Sequence, residues 1–166
     1  TTVPASLAIT WTNAPQTNAG SYAVTATVNN TNYQGSASGT FVIEKATPIV
    51  TVSGGPFTYD GNPHAATVSV TGVGGVAVLG STTVNYAGIP PTSYGPSTTA
   101  PMNAGTYAAR VVFISSDLNY NDTKGSGSIT INQASTTTTA TTSAASVRYK
   151  DMVTLSAKVV PQNKGS

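Results

Sequence analysis

Asn103-Ala104-Gly105-Thr106-Tyr107-Ala108-Ala109 repeats Asn18-Ala19-Gly20-Ser21-Tyr22-Ala23-Val24 at a distance of 85 residues, and reading the two stretches together decides the fold. After each Gly the chain alternates. With Arg110 turned to solvent, Tyr107, Ala109, Val111 and Phe113 share an inward face, and Tyr22, Val24, Ala26 and Val28 hold the same places in the earlier copy. The Gly predicts a positive-φ turn from which a long strand starts sharply. A Tyr entering a core directly after such a turn needs a partner for its hydroxyl. A corner in which the hydroxyl bonds back to an upstream backbone group supplies one, and this geometry is expected for both Tyr22 and Tyr107.

Working outward, Asn32-Tyr33 matches Asn119-Tyr120, and Gly39-Thr40-Phe41-Val42-Ile43 matches Gly127-Ser128-Ile129-Thr130-Ile131. Upstream, Ile9-Thr10-Trp11 aligns with Val84-Asn85-Tyr86, after which the second copy carries about ten extra residues in the Pro/Gly/Ser-rich stretch Ile89 to Met102. The expected organisation is the C-terminal part of one module over 1–45, a complete module over 46–134 and the N-terminal part of another over 135–166. The chain thus reads as starting inside a module. Strands are expected near Ile49 to Ser53, Phe57 to Tyr59, Ala66 to Thr71, Val76 to Leu79, Thr83 to Ala87, Thr106 to Ser115 and Ser128 to Asn132, with no helix. In the last segment Val153, Leu155, Ala157 and Val159 alternate with polar residues as a half-buried strand. The run Thr136 to Thr142 reads as an edge strand or a stiff linker. The fold class is all-β, in tandem small antiparallel sandwich-like modules of Ig-like or β-grasp-like kind.

Composition points the same way. Charged residues make only 7% of the 166, against about 25% in ordinary domains. Thr, Ser, Gly and Ala make half of the chain, and β-branched and aromatic residues far outnumber the straight-chain helix formers. Low apolar content raises disorder as a rival, but a net charge of +2 and eight spread tyrosines argue for packed β structure. Five carboxylates, one His and no Cys leave little from which to build catalysis or a His/Cys metal site, and no cofactor is expected. Basic residues collect near the C-terminus without interleaved aromatics, so no nucleic-acid partner is expected. No apolar run reaches the ~18 residues of a membrane span. The absence of Cys excludes a disulfide-stapled secreted module but suits a bacterial extracellular one.

The order Phe57-Thr58-Tyr59-Asp60-Gly61-Asn62-Pro63, then Asn103-Ala104-Gly105-Thr106-Tyr107, then Asn119-Tyr120, then Ile129-Thr130-Ile131-Asn132-Gln133-Ala134 resembles the YDG/MBG-type repeats of large bacterial surface proteins. The likeness covers about 46–134, with 9–46 similar to the back half of another copy. The tail from about 135 is similar to the start of a bacterial immunoglobulin-like module. The resemblance implies a repeat array in an adhesin-like protein at the bacterial cell surface. Its modules would act as spacers whose partners are neighbouring repeats of the same chain.

Candidate sites are few. Asp117, Asn119, Asn121 and Asp122 loosely follow a calcium-loop spacing, but Asp122 and Ser128 stand where an EF-hand needs Gly and Glu, and an Asx-rich turn capping its own backbone is the simpler reading. Asp60 and His64 with a Ser would suggest a hydrolase triad, yet Asp60-Gly61-Asn62-Pro63 reads as a turn that leaves His64 on the surface. Glu44, Lys45 and Asn132 suggest an isopeptide bond, for which all three would have to be buried together. Trp11, Tyr86 and Tyr94 are candidates for a sugar platform. The matching positions of Trp11 and Tyr86 favour core or junction packing, and Tyr94 in the insert is expected to be exposed. Asn29 and Asn121 sit in Asn-x-Thr sequons. The leading expectation is a structural spacer without catalysis. The alternatives are a module binding a host or cell-surface glycan or protein, and an accessory region of a secreted enzyme.

Overall fold

The computed structural model describes residues 7–162. Eleven strands follow in chain order: β1 (Ile9–Thr12), β2 (Gly20–Val28), β3 (Ser36–Ile43), β4 (Ile49–Ser53), β5 (Phe57–Thr58), β6 (Thr67–Thr71), β7 (Gly80–Gly88), β8 (Gly105–Ser115), β9 (Thr123–Asn132), β10 (Thr136–Thr142) and β11 (Leu155–Pro161). The only helical element among the described residues is the short 3-10 turn Val73–Gly75. The all-β expectation therefore holds.

One sheet has the order β1-β2-β3 and another the order β5-β9-β8-β7, while β4 pairs with β6 and β10 with β11. The order β1-β2-β3 is that of β7-β8-β9, so the sequence repeat is a repeat of one sheet. β5 joins β9 in parallel, with Phe57 opposite Ile131, a departure from the antiparallel expectation.

Two compact units result: residues up to Ile49 with Val70–Ser81 and Phe113–Thr123, and Val50–Ser69 with Thr82–Val112 and the chain from Lys124. In the second unit alternation along β8 and β9 puts Tyr107, Ala109, Ile129 and Ile131 into a core with Tyr86 of β7. Val52, Phe57, Ala66, Val84, Tyr94 and Ala100 pack around it. Full burial of such side chains stabilises by roughly 1.5–3 kcal/mol each before chain entropy is set against it. β4 comes close against β9 because β9 offers glycine there: a Cβ on Gly127 would stand 3.0 Å from the Cβ of Val52 and 2.6 Å from its carbonyl oxygen. The insert after β7 folds back on that strand. Tyr86 and Ser97 exchange backbone hydrogen bonds of 2.8 and 3.0 Å, and the Gly88 amide donates to the Tyr94 carbonyl at 2.8 Å. The stretch with no counterpart in the first copy thus covers a sheet edge that would otherwise be open to pairing.

In the first unit β1-β2-β3 is antiparallel, with Ile9 opposite Val28, Trp11 opposite Ala26, Tyr22 opposite Phe41 and Val24 opposite Gly39. Directly opposed residues share a face, so these side chains form one apolar face and Thr and Ser line the other. Tyr22, Val24, Ala26 and Val28 take the expected orientation, yet they are only half-buried where Tyr107, Ala109, Val111 and Phe113 are fully buried. Gly39, the counterpart of Gly127, has no atom within 4 Å of a Cβ built on it. Among the described residues nothing plays the part of β4 over this sheet.

Two expectations fail. Val76 to Leu79 is not a strand: Gly74 and Gly75, at φ of 71° and 74°, reverse the chain through the 3-10 turn, leaving one bridge between Thr71 and Ala77. The strand expected from Val153 is not half-buried. Leu155 and Val159 are 75% and 59% exposed because, among the described residues, β11 pairs only with β10 and no second layer lies on the pair. The Thr run is the edge strand β10.

The two glycines give a paired test. Gly127→Ala lowers stability by about 1–3 kcal/mol through crowding against Val52. Gly39→Ala, in open space, is neutral or stabilising by up to ~1 kcal/mol. Urea denaturation of both variants measures the contrast, and equal effects would contradict it.

Candidate functional site

The corner forms in both copies. The Tyr107 hydroxyl donates to the Asn103 carbonyl at 2.7 Å, and the Tyr22 hydroxyl donates to the Asn18 carbonyl at 2.8 Å. The reason for the glycine differs from the expected one. Gly105 is near-extended at φ 159° and Gly20 has no positive φ. In both copies a Cβ on the glycine would lie 3.1 Å from the hydroxyl oxygen of the Tyr two residues on. At Gly20 glycine leaves room for the ring to fold back over it, while at Gly105 the Thr92 side chain would be closer still, its Cγ2 and Oγ1 at 2.7 and 2.8 Å. Tyr107 is 2% exposed and meets Tyr94 edge-on, with centroids 5.4 Å apart and planes at 88°. Burial, and secondarily the neighbouring Tyr94, pushes its pKa above the usual 10.0.

Residues 115–122 form a second polar constellation, inside the first unit. Asp117 Oδ1 accepts from the Asn119 amide and Asp122 Oδ1 from the Ser115 amide, both at 2.8 Å. The first is the self-capping Asx contact expected of the loop; the second closes the loop from seven residues away. Asn119 Oδ1 also accepts from the Ala19 amide at 2.7 Å. Asn121 Nδ2 donates to the Lys45 carbonyl and to Thr47 Oγ1, both at 3.3 Å. Backbone bonds join Ala46 to Asn119 and Asn121 at 2.9 and 2.8 Å. The Tyr120 hydroxyl accepts from the Val73 amide at 3.0 Å. The loop's oxygens are spent on backbone, and they tie it to residues 19 and 45–47. Sequence reading missed these ties; the recurrent Asn-Tyr pair was the one available signal.

His64 is not on the surface. It is stacked on Phe57 at 4.6 Å, its side chain is 13% exposed, and its Nε2 lies 3.1 Å from Asp60 Oδ1. That nitrogen makes no hydrogen bond, so no serine hydroxyl is coupled to it. Asp60 Oδ1 accepts from the Asn62 amide at 2.8 Å. That bond, with the nearby His64 adding less, holds the carboxyl below its usual 3.8. Glu44, Lys45 and Asn132 are all exposed.

The three aromatics are not equivalent. Tyr86 is 3% exposed, with its hydroxyl accepting from the Ala66 amide at 3.0 Å. Tyr94 is tucked against Tyr107 rather than exposed, its hydroxyl donating to the Thr99 carbonyl at 2.8 Å. Trp11, expected to be packed, is 56% exposed because the face it stands on has no cover. It borders a shallow apolar groove of about 350 Å³ with Ala14, Pro15, Val24 and Phe41.

A protein-family model described as MBG domain matches residues 1–47 and again 49–135. No curated protein and no solved structure matches the chain.

Tyr107→Phe removes the bond by which a fully buried ring reaches the Asn103 carbonyl and costs about 1 kcal/mol, whereas Tyr22→Phe, at a wetter corner, costs less; chemical denaturation reads both. Tyr107 is also expected to ionise above the usual tyrosine value of 10.0. Because its folded pKa is raised, the corner's contribution is intact below that usual value and is lost as pH rises from there through the raised folded value. Ultraviolet absorbance followed during alkaline titration, compared with Tyr107→Phe, shows whether a phase above the usual value belongs to this residue.

Proposed function

Because the chain belongs to the MBG domain family over residues 1–47 and 49–135, a family associated with extracellular repeat proteins, we propose that it is a structural spacer. In this reading its tandem β modules hold a functional head away from a bacterial surface and catalyse nothing themselves. The observation that carries the reading is the recurrence of one mechanical part, the Asn-Ala-Gly-x-Tyr corner, at the start of the long middle strand of each copy. A spacer needs reach, stiffness and an inert surface. β8 runs for 11 residues, which at about 3.3 Å per residue is roughly 36 Å. The folded-back insert closes a sheet edge, and the loop 115–122 is bonded to residues 19 and 45–47. Charged residues make only 7% of the sequence, so the surface offers a partner little charge.

The competing reading, a glycan- or protein-binding module, needs aromatic rings offered to a ligand. Tyr86 and Tyr94 are used inside the second unit, which supports the spacer. Of the three candidate rings, Trp11 is the one that favours the binder.

Two measurements on the full chain separate them. The spacer predicts discrete unfolding events when the chain is stretched between its ends, and no saturable signal on a glycan array. Saturable binding that disappears in Trp11→Ala would replace the spacer with the binder.

A further inference from the structure

In the second unit the segment that opens the complete copy lies along the strand that closes it. Val50 stands against Gly125, Val52 against Gly127 and Gly54 against Ile129, where a Cβ on each glycine would lie 2.5, 3.0 and 2.8 Å from the nearest side-chain atom of its neighbour. Phe57 and Thr58 of β5 then pair in parallel with Ile131 and Asn132, and the Tyr59 amide donates to the Asn132 carbonyl at 2.9 Å. The neighbours advance together. Residues 50–58 therefore run beside 125–132 and in the same direction. In the first unit Ala46 is likewise bridged in parallel to Tyr120, its amide donating to the Asn119 carbonyl at 2.9 Å and its carbonyl accepting from the Asn121 amide at 2.8 Å.

Direction decides what tension does to such a pair. A pull entering from Lys45 draws residues 50–58 back toward their start, and a pull leaving through Gln133 draws β9 toward its end. Because the two segments run the same way, these pulls oppose each other along one axis and would slide one segment past the other. The bonds of a parallel pair are evenly spaced along the strands, so a slide strains them all at once. Packing resists the slide as well. β4 sits in the low ground that Gly125 and Gly127 leave, and Phe57 packs on the core. Phe57 is further held by the stacked ring of His64, whose amide donates to the Pro101 carbonyl at 2.9 Å.

We propose that residues 50–58 and β9 form a shear clamp, which gives the second unit a load-bearing function: it resists tension applied along the chain more than tension that opens the pair from one end. The inference rests on the direction of the two segments. The spacer reading only names a source of the load, and a chain without the clamp could still be a spacer.

Single-molecule stretching of the full chain between paired cysteines tests it, since the chain has none of its own. Lys45→Cys with Gln133→Cys loads the clamp lengthwise. Asn62→Cys with Gln133→Cys pulls from the end at which both segments leave, so that the contacts of Tyr59, Thr58 and Phe57 open in turn. All three sites are exposed. At one pulling speed the first pair ruptures at roughly twice the force of the second, because bonds strained together must fail together. Urea midpoints equal to the parent's show that the two variants differ in direction of load and not in stability, and Pro63→Cys replaces Asn62→Cys if that midpoint moves. Equal rupture forces, or a larger force for the second pair, overturn the proposal. Equal forces with discrete unfolding events would remove the clamp and leave the spacer reading standing.

Discussion

A tyrosine hydroxyl that must be satisfied inside an apolar layer is the constraint on which this structure turns. The sequence is poor in Leu, Ile and Phe, and its core sets two tyrosines, Tyr86 and Tyr107, each with a polar tip, among Ala109, Ile129 and Ile131. An unpaired hydroxyl there would cost about what a lost buried hydrogen bond costs, 1–3 kcal/mol. Asn103-Ala104-Gly105 answers this locally: the chain bends, the glycine leaves room, and the Asn103 carbonyl receives the hydroxyl. The corner also sets the phase of β8. A slip by one residue would bring Arg110 into the core and expel Tyr107, Ala109, Val111 and Phe113.

From that phase the rest of the second unit follows. Ile129 and Ile131 meet the same layer from β9, and the two glycines before them let β4 cross closely. The first copy keeps the corner, the alternation and the matching Gly39, but among the described residues it has neither the insert nor a crossing strand. Half-burial of Tyr22 and exposure of Trp11 go with that difference, since the strand order is the same.

Local pattern made much of this legible. Alternation placed β8 and the second half of β9, which begins at Thr123 rather than Ser128, the paired repeats located both corners, and Asp117 behaved as an Asx residue in a turn does. What escaped depends on contacts distant in sequence. Nothing local to Tyr94 reveals that the insert returns along β7 and lays the ring on Tyr107. The alternating run Val76 to Leu79 looks like a strand, but two positive-φ glycines ahead of it leave it only one bridge. Trp11 matched Tyr86 in the repeat, and its exposure follows from the absent cover rather than from its own surroundings. His64 lies in a turn by sequence, and only the fold stacks it on Phe57.

The central claim, that residues near 20 and near 105 are the same corner built twice, can be tested by nuclear Overhauser contacts from selectively labelled tyrosine rings. The account predicts matching sets, from Tyr22 to Asn18 and Gly20 and from Tyr107 to Asn103 and Gly105. A set from Tyr107 with no equivalent from Tyr22 would contradict it.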